Sequence, residues 1–158
     1  MKIIFLDVDG VLNAHLSSDA PPHTDEEKIA LLADIIHSTD AKLVIHSGWR
    51  FWLDEQMRPT TEEMRLLLES LERYHITVYD KTPDFADEEI MRTKYFSLVK
   101  AKEILAWLNE HDNVENYVVL EDLELYDDAI KAHQVQTQSQ IGLTREKAAE
   151  AAALLCHD

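Results

Sequence analysis

Asp7 and Asp9 stand two residues apart at the end of an apolar run, in the stretch KIIFLDVDGVL. Side chains alternate along an extended chain, so both carboxylates emerge on one side if the strand runs that far. Like charges a few ångströms apart repel by roughly 1 kcal/mol in water and about 4 kcal/mol at a protein-like dielectric, so a proton, a cationic side chain or a metal ion must offset them. Further polar groups follow later apolar runs: Ser47, Gly48 and Arg50 after KLVI, Lys100 at the start of KAKEI, and Glu121 with Asp122 at the end of YVVL. Asp7, Asp9, Glu121 and Asp122 offer hard oxygen ligands, which suit Mg²⁺ and not zinc or copper. Together these residue types match the needs of phosphoryl transfer: a nucleophile, a proton donor and a shell of donors and positive charge around the phosphoryl oxygens. Asp7 suits the nucleophile, and Asp9 the group that gives a proton to the leaving oxygen and takes one from water. Ser47 and the backbone N–H groups of SGWR, Gly48 included, can hold phosphoryl oxygens. Lys100 can pair with Asp7, and Arg50 can clamp a phosphate with two parallel hydrogen bonds.

The elements that would position these groups alternate between short β-rich runs and longer amphipathic ones. KIIFL, AKLVIHS, ITVYD and NYVVLED read as strands, and HQVQTQ as a weaker, polar strand near a sheet edge. Between them, TDEEKIALLADIIHS and TTEEMRLLLESLERY carry helix-capping signatures, Thr24 with Glu27 and Thr60 with Glu63. KAKEILAWLNEH is a third helix, and TREKAAEAAALL a last one capped by Thr144. This alternation predicts an α/β, three-layer Rossmann-like fold with a mainly parallel sheet, in a single domain over 1–158. In such sheets ligands sit beyond the carboxyl ends of the strands, where the polar clusters fall. Trp49 reads as core, His46 as a structural histidine, and Asp127 with Asp128 as a solvated helix start.

Composition narrows the partners. With 31 acidic and 15 basic residues the formal net charge is −16, which repels polyphosphate chains and anionic lipid and argues against non-specific nucleic-acid or membrane binding. The single cysteine, Cys156, allows no intrachain disulfide and points to a reducing, cytoplasmic setting. The first apolar run is too short for a signal-peptide core, and no segment is long enough to cross a membrane.

FLDVDGVL, LVIHSGWR, KAKEI and YVVLEDLELYDD resemble, in order, the four motifs of the haloacid dehalogenase (HAD) superfamily, mostly phosphohydrolases that pass through an aspartyl-phosphate. The resemblance spans residues 3 to 128. It implies Asp7 as nucleophile, Asp9 as general acid/base whose carbonyl also binds Mg²⁺, and Asp122 as an acidic metal ligand. SGWR, KAKEILAWL and QIGLT further resemble the branch found in Swiss-army-knife RNA repair proteins. Two positions depart from the pattern. Glu121 stands where aspartate is more usual, its longer arm suited to reaching a metal through water, and Ala101 where glycine is common, with Lys102 competing with Lys100 for the third motif. The interval after the first motif is too short for a folded cap, and the second, 51–99, is filled by one helix, one strand and the acidic loop, so the site is expected to be open, rimmed by the loop with Trp52, Arg58 and Pro59 and by the segment 91–96.

The function these readings support is a Mg²⁺-dependent phosphomonoester hydrolase acting on a phosphorylated small molecule, a nucleotide or a nucleic-acid end. Two alternatives belong to other classes: a catalytically silent binding module that keeps the fold, and a phospho-accepting signalling domain. The order of elements opposes the second, because a receiver places its accepting aspartate after the third strand.

Overall fold

The computed structural model describes residues 1–14, 24–86 and 95–157. Most of the proline-containing loop at 19–25, the end of the acidic loop at 80–89 and most of the rim segment 91–96 lie outside the described residues. The elements are β1 (Lys2–Leu6), α1 (Glu26–Thr39), β2 (Lys42–Ile45), a 3₁₀ turn (Gly48–Trp52), α2 (Glu62–Arg73), β3 (Val78–Lys81), α3 (Phe96–Asn109), β4 (Asn116–Glu121), a short α4 (Asp128–Lys131), β5 (Gln134–Gln136) and α5 (Arg145–Cys156). The strands form one sheet in the order β3-β2-β1-β4-β5, and every pairing is parallel. Among the described residues no large cap is inserted, and no helix is long and apolar enough to cross a membrane.

Strand alternation sorts the core into two layers. Ile4 and Leu6 of β1, Leu43 and Ile45 of β2, and Val118 and Leu120 of β4 pack with α1, α2 and α5. The intervening residues Ile3, Phe5, Val44 and Val119 face the other way, against Ala101, Ile104 and Trp107 of α3. Both faces of a parallel sheet are thus covered, which is why β1 is apolar at every position from Ile3 to Leu6. The polar strand β5 lies at one edge, where the sequence placed it.

Helix starts differ from expectation by one residue. The cap of α1 is Asp25, which accepts from the Glu27 amide, and the cap of α2 is Thr61, which accepts from the Met64 amide. In TDEE and TTEE two adjacent side chains are each able to cap, and in both cases the second, held in extended conformation, is the one that does. Thr144 caps α5 as expected. Helix α3 begins four residues before Lys100, which places that lysine in its second turn.

The loop after β5 returns to brace the first loop: the Leu143 amide donates to Val11 O at 2.8 Å, and Thr137 Oγ1 to Gly10 O at 2.6 Å. Gly142 makes this approach possible. Its φ is +77°, and a Cβ there would lie 2.9 Å from the carbonyl oxygens of both Val11 and Asn13. Gly142→Ala is therefore expected to lower the unfolding free energy by about 1–3 kcal/mol in urea titrations. Gly48→Ala, whose Cβ would meet nothing within 4 Å, should shift it by less than about 0.5 kcal/mol. Equal losses at the two positions would refute the close-approach argument.

Candidate active site

The ladders of β1, β2, β3 and β5 each run one hydrogen bond past the last assigned residue. The Asp7 amide donates to Leu120 O, the His46 amide to Leu6 O, the Thr82 amide to Ile45 O and the Thr137 amide to Glu121 O. The pleat therefore still governs side-chain direction at the sheet's carboxyl edge. Asp7 keeps the parity of Ile3 and Phe5, and Glu121 that of Val119, so both turn toward the α3 face. Lys100 comes down from α3 to meet them: its Nζ lies 2.5 Å from Glu121 Oε2 and 3.9 Å from Asp7 Oδ1. All three side chains are buried, whereas Lys102 is exposed. Of the two lysines that compete for the third motif, Lys100 is therefore the one placed at the acidic cluster.

Asp122 joins this group from the loop. Carboxylate oxygens of Asp7, Glu121 and Asp122 lie within 4.8 Å of one another, a spacing able to hold a metal ion. Ser139 Oγ donates to Asp122 Oδ2 at 3.0 Å, and Gln136 Nε2 to its backbone carbonyl at 3.2 Å. Gly10 keeps the space open: at φ +82°, a Cβ there would fall 2.4 Å from Asp122 Oδ2. Glu121 is already engaged, with Oε2 on Lys100 and Oε1 accepting the amides of Asp122 and Leu123 at 3.1 and 3.2 Å.

The electrostatics follow from burial and from three acids facing one ammonium. Burial pushes the Asp7 carboxyl up to about 6, against the pull of Lys100. Burial, with Asp7 beside it, raises Glu121 well above the usual carboxylate range. For Asp122 burial also pushes upward, but hydrogen bonds from its neighbours outweigh it and hold the carboxyl low. Burial works against the charge on Lys100, yet the facing carboxylates more than offset it and raise the ammonium's pKa. The acidic excess, the burial and the all-oxygen donor set fit a hard divalent cation.

Asp9 does not share the Asp7 cluster. Past Asp7 the chain turns, with the amides of Val11 and Leu12 donating to Val8 O, so strand alternation no longer applies. The Asp9 carboxylate is instead held between Asn13 Nδ2 at 3.0 Å and Trp49 Nε1 at 3.1 Å. Trp49 is buried as expected, but its indole N–H adds a contact that the apolar reading missed. Ser47 caps the 3₁₀ turn, its Oγ accepting from the Trp49 amide at 3.1 Å, which leaves the hydroxyl hydrogen available to another acceptor. Gly48 beside it is exposed.

Arg50 is placed differently from a free phosphate clamp. Its guanidinium is buried and donates to Glu103 Oε2 at 3.0 Å, Ser47 O at 2.9 Å and, more weakly, His46 O and Pro83 O at 3.4 Å. Glu103, Thr137 and Ser139 were not singled out by the sequence reading. Glu103 had a usable signal, since it lies three residues after Lys100 and so on the same helix face. Asp127 caps α4, as its reading as a helix start implied.

A parallel, helix-covered sheet whose first strand runs into DxDG, with a lysine from a later helix set against acids at the end of the neighbouring strand, defines the HAD-like class. The chain belongs to the family described as the HAD domain in Swiss Army Knife RNA repair proteins, whose profile matches residues 3–148 of its 158. No curated protein and no solved structure matches it at a significant level.

His46 supplies a test of the buried polar edge. It is fully buried, its Nδ1 lies 2.9 Å from Thr82 Oγ1, and burial followed by the nearby Lys100 and Arg50 charges holds its pKa well below 6.5. Below pH 6.5 the unfolded chain takes up a proton at this ring while the native protein does not, so native stability falls as pH drops. Relative to His46→Asn, wild-type unfolding free energy should decline between pH 7.5 and 5.5 by up to about 1.4 kcal/mol per unit below 6.5. Parallel pH profiles would show that the ring is protonated in the fold.

Proposed function

We propose that the chain is a Mg²⁺-dependent phosphomonoester hydrolase that works through a phosphoenzyme on Asp7. The observation that carries this reading is the buried Asp7–Lys100–Glu121 group beside Asp122, at the carboxyl edge of a HAD-family sheet. HAD-family membership supports a phosphoesterase, and the site chemistry supports the finer assignment.

In the first half-reaction an Asp7 carboxylate oxygen attacks phosphorus, the ester P–O bond breaks, and the leaving oxygen takes a proton from Asp9. In the second, water attacks phosphorus and gives a proton to Asp9 while the bond from phosphorus to Asp7 breaks, releasing inorganic phosphate and restoring both aspartates. Asn13 and Trp49 hold the Asp9 carboxyl at a fixed orientation for both transfers. The Ser47 hydroxyl and the Gly48 amide would donate to the phosphoryl oxygens. Lys100 offsets the charge on Asp7 and Glu121 throughout. Asp7 and Asp122 would hold the Mg²⁺, with Glu121 adding charge while its oxygens remain on Lys100 and two amides. A bound Mg²⁺ supplies positive charge against the phosphoryl oxygens as negative charge shifts among them.

For the substrate, the family description brings nucleic-acid end phosphates forward, while the net charge of −16 disfavours extended contact with a polyanion. A nucleotide or the phosphorylated end of a short strand satisfies both. A single cysteine fits action in the reducing cytoplasm.

Phosphate release should be measured over aryl phosphates, nucleotides, sugar phosphates and 3′- or 5′-phosphorylated oligonucleotides, with and without Mg²⁺. Asp7→Asn should abolish turnover, Lys100→Met should lower it by about 10²-fold or more, and Lys102→Met should leave it within about twofold. Activity retained in Asp7→Asn would rule out the phosphoenzyme route. Oligonucleotide ends cleaved no faster than a generic aryl phosphate would remove the support for an RNA-end substrate.

A further inference from the structure

The Arg50–Glu103 pair lies behind the candidate site and ties together three segments that are distant in sequence. Arg50 Nη1 donates to Ser47 O at 2.9 Å, within the turn that presents Ser47 and Gly48. Its Nη2 donates to Glu103 Oε2 at 3.0 Å on α3 and reaches Pro83 O at 3.4 Å in the loop after β3. The same Glu103 oxygen accepts the Phe85 amide at 2.9 Å. Glu103 stands one helical turn after Lys100, and both are buried, so whatever fixes Glu103 fixes the approach of the lysine. The Phe51 ring covers the guanidinium, 4.7 Å from centroid to Cζ.

Stability alone does not account for this pair. The two side chains are 7% and 1% exposed, and a buried ion pair is often matched or bettered by apolar residues of similar volume. Arg50 Nε and Glu103 Oε1 have no hydrogen-bond partner, so the pair is incompletely satisfied as well. Apolar side chains could fill the same space, but they could not hold the Ser47 carbonyl, the Pro83 carbonyl and the Phe85 amide in one fixed relation. A charged clamp on substrate is also disfavoured, because the guanidinium's carboxylate partner is within the protein.

We propose that Arg50 and Glu103 are positioning residues: their ion pair sets the Ser47–Gly48 turn and Lys100 at fixed places relative to Asp7. This rests on the phosphohydrolase reading above. The pair acts on the geometry of the reaction and touches neither substrate nor metal, so its loss lowers turnover more than it weakens substrate binding.

The decisive variant is the double replacement Arg50→Met with Glu103→Met, compared with each single change and with Glu103→Gln. The double variant should keep its circular dichroism spectrum and cooperative melting, since no unpaired buried charge remains. Its kcat should fall by about tenfold or more while KM changes by less than about threefold, and the single-variant effects should be strongly non-additive. Wild-type kcat in a folded double variant would reduce the pair to packing. If Arg50 instead clamps phosphate, Arg50→Met raises KM and weakens inhibition by inorganic phosphate, while Glu103→Gln, which removes only the negative charge opposite the guanidinium, does neither; that pattern would overturn the proposal. Amide hydrogen exchange tests the tie even if the wild type hydrolyses nothing, an outcome that would defeat the phosphohydrolase reading alone. In the folded double variant, amides of 47–53, 82 and 84–86 should exchange about tenfold faster while those of β1 and β4 do not change. Unchanged exchange in both segments would show that the pair positions nothing.

Discussion

Asp7 and Glu121 end adjacent parallel strands on the same face of the sheet, and the ammonium of Lys100 is what allows two buried carboxylates to remain there. At the low effective dielectric of the interior their repulsion would otherwise favour protonation or a local opening of the edge. Removing one partner from such a group leaves an uncompensated buried charge, typically destabilising by about 3–5 kcal/mol. The lysine is therefore a structural counter-charge to both carboxylates. Its place on α3 follows from the packing of Ala101, Ile104 and Trp107 on the Phe5 face, which fixes the helix before any charge is considered.

The two faces of the sheet do different work. Beyond α1, α2 and α5 the core is apolar to the sheet's edge, and it holds the strands in register. On the α3 face the apolar layer gives way at the carboxyl edge to Asp7, His46, Lys100, Glu103 and Glu121, all buried. A polar layer of this kind is stable only while its members satisfy one another, which makes it rigid and sensitive to single changes. The loop after β5 supports it from the far side, through Thr137 on Gly10 and Ser139 on Asp122.

Much of this was legible in the chain because it depends on local pattern. Four apolar residues followed by DxDG announce a buried strand that ends in a polar turn, and the later clusters fall at the ends of similar runs. Parity could have taken the reading further: counting in twos from Phe5 places Asp7, but not Asp9, under strand control once the glycine after Asp9 marks the turn. What escaped depends on distant partners. Arg50 beside Ser47 looks like a clamp until Glu103, 53 residues away, is seen to occupy it. Trp49 looks purely apolar until its N–H finds Asp9, and Ser139 has no local signature at all. The capping errors have a simpler origin, since TDEE and TTEE each offer two adequate caps.

The pairing of Arg50 with Glu103 bears on how a strongly acidic protein can handle a phosphate ester. Among the described residues, both buried cations near the site are already matched, Lys100 by Glu121 and Asp7 and Arg50 by Glu103. Asp122 adds a further negative charge, held low by its hydrogen bonds. A phosphate dianion arriving at Asp7 thus meets an acidic excess and no uncommitted arginine in the SGWR turn. On the function proposed above, affinity for the phosphoryl group would be set by how completely that excess is offset and by neutral donors, the Ser47 hydroxyl and the backbone amides beside it, more than by a dedicated cationic clamp. Neutral donors aimed by a rigid turn discriminate by geometry and not by charge, so under that proposal the ion pair behind the turn would matter as much as the groups that touch the ester.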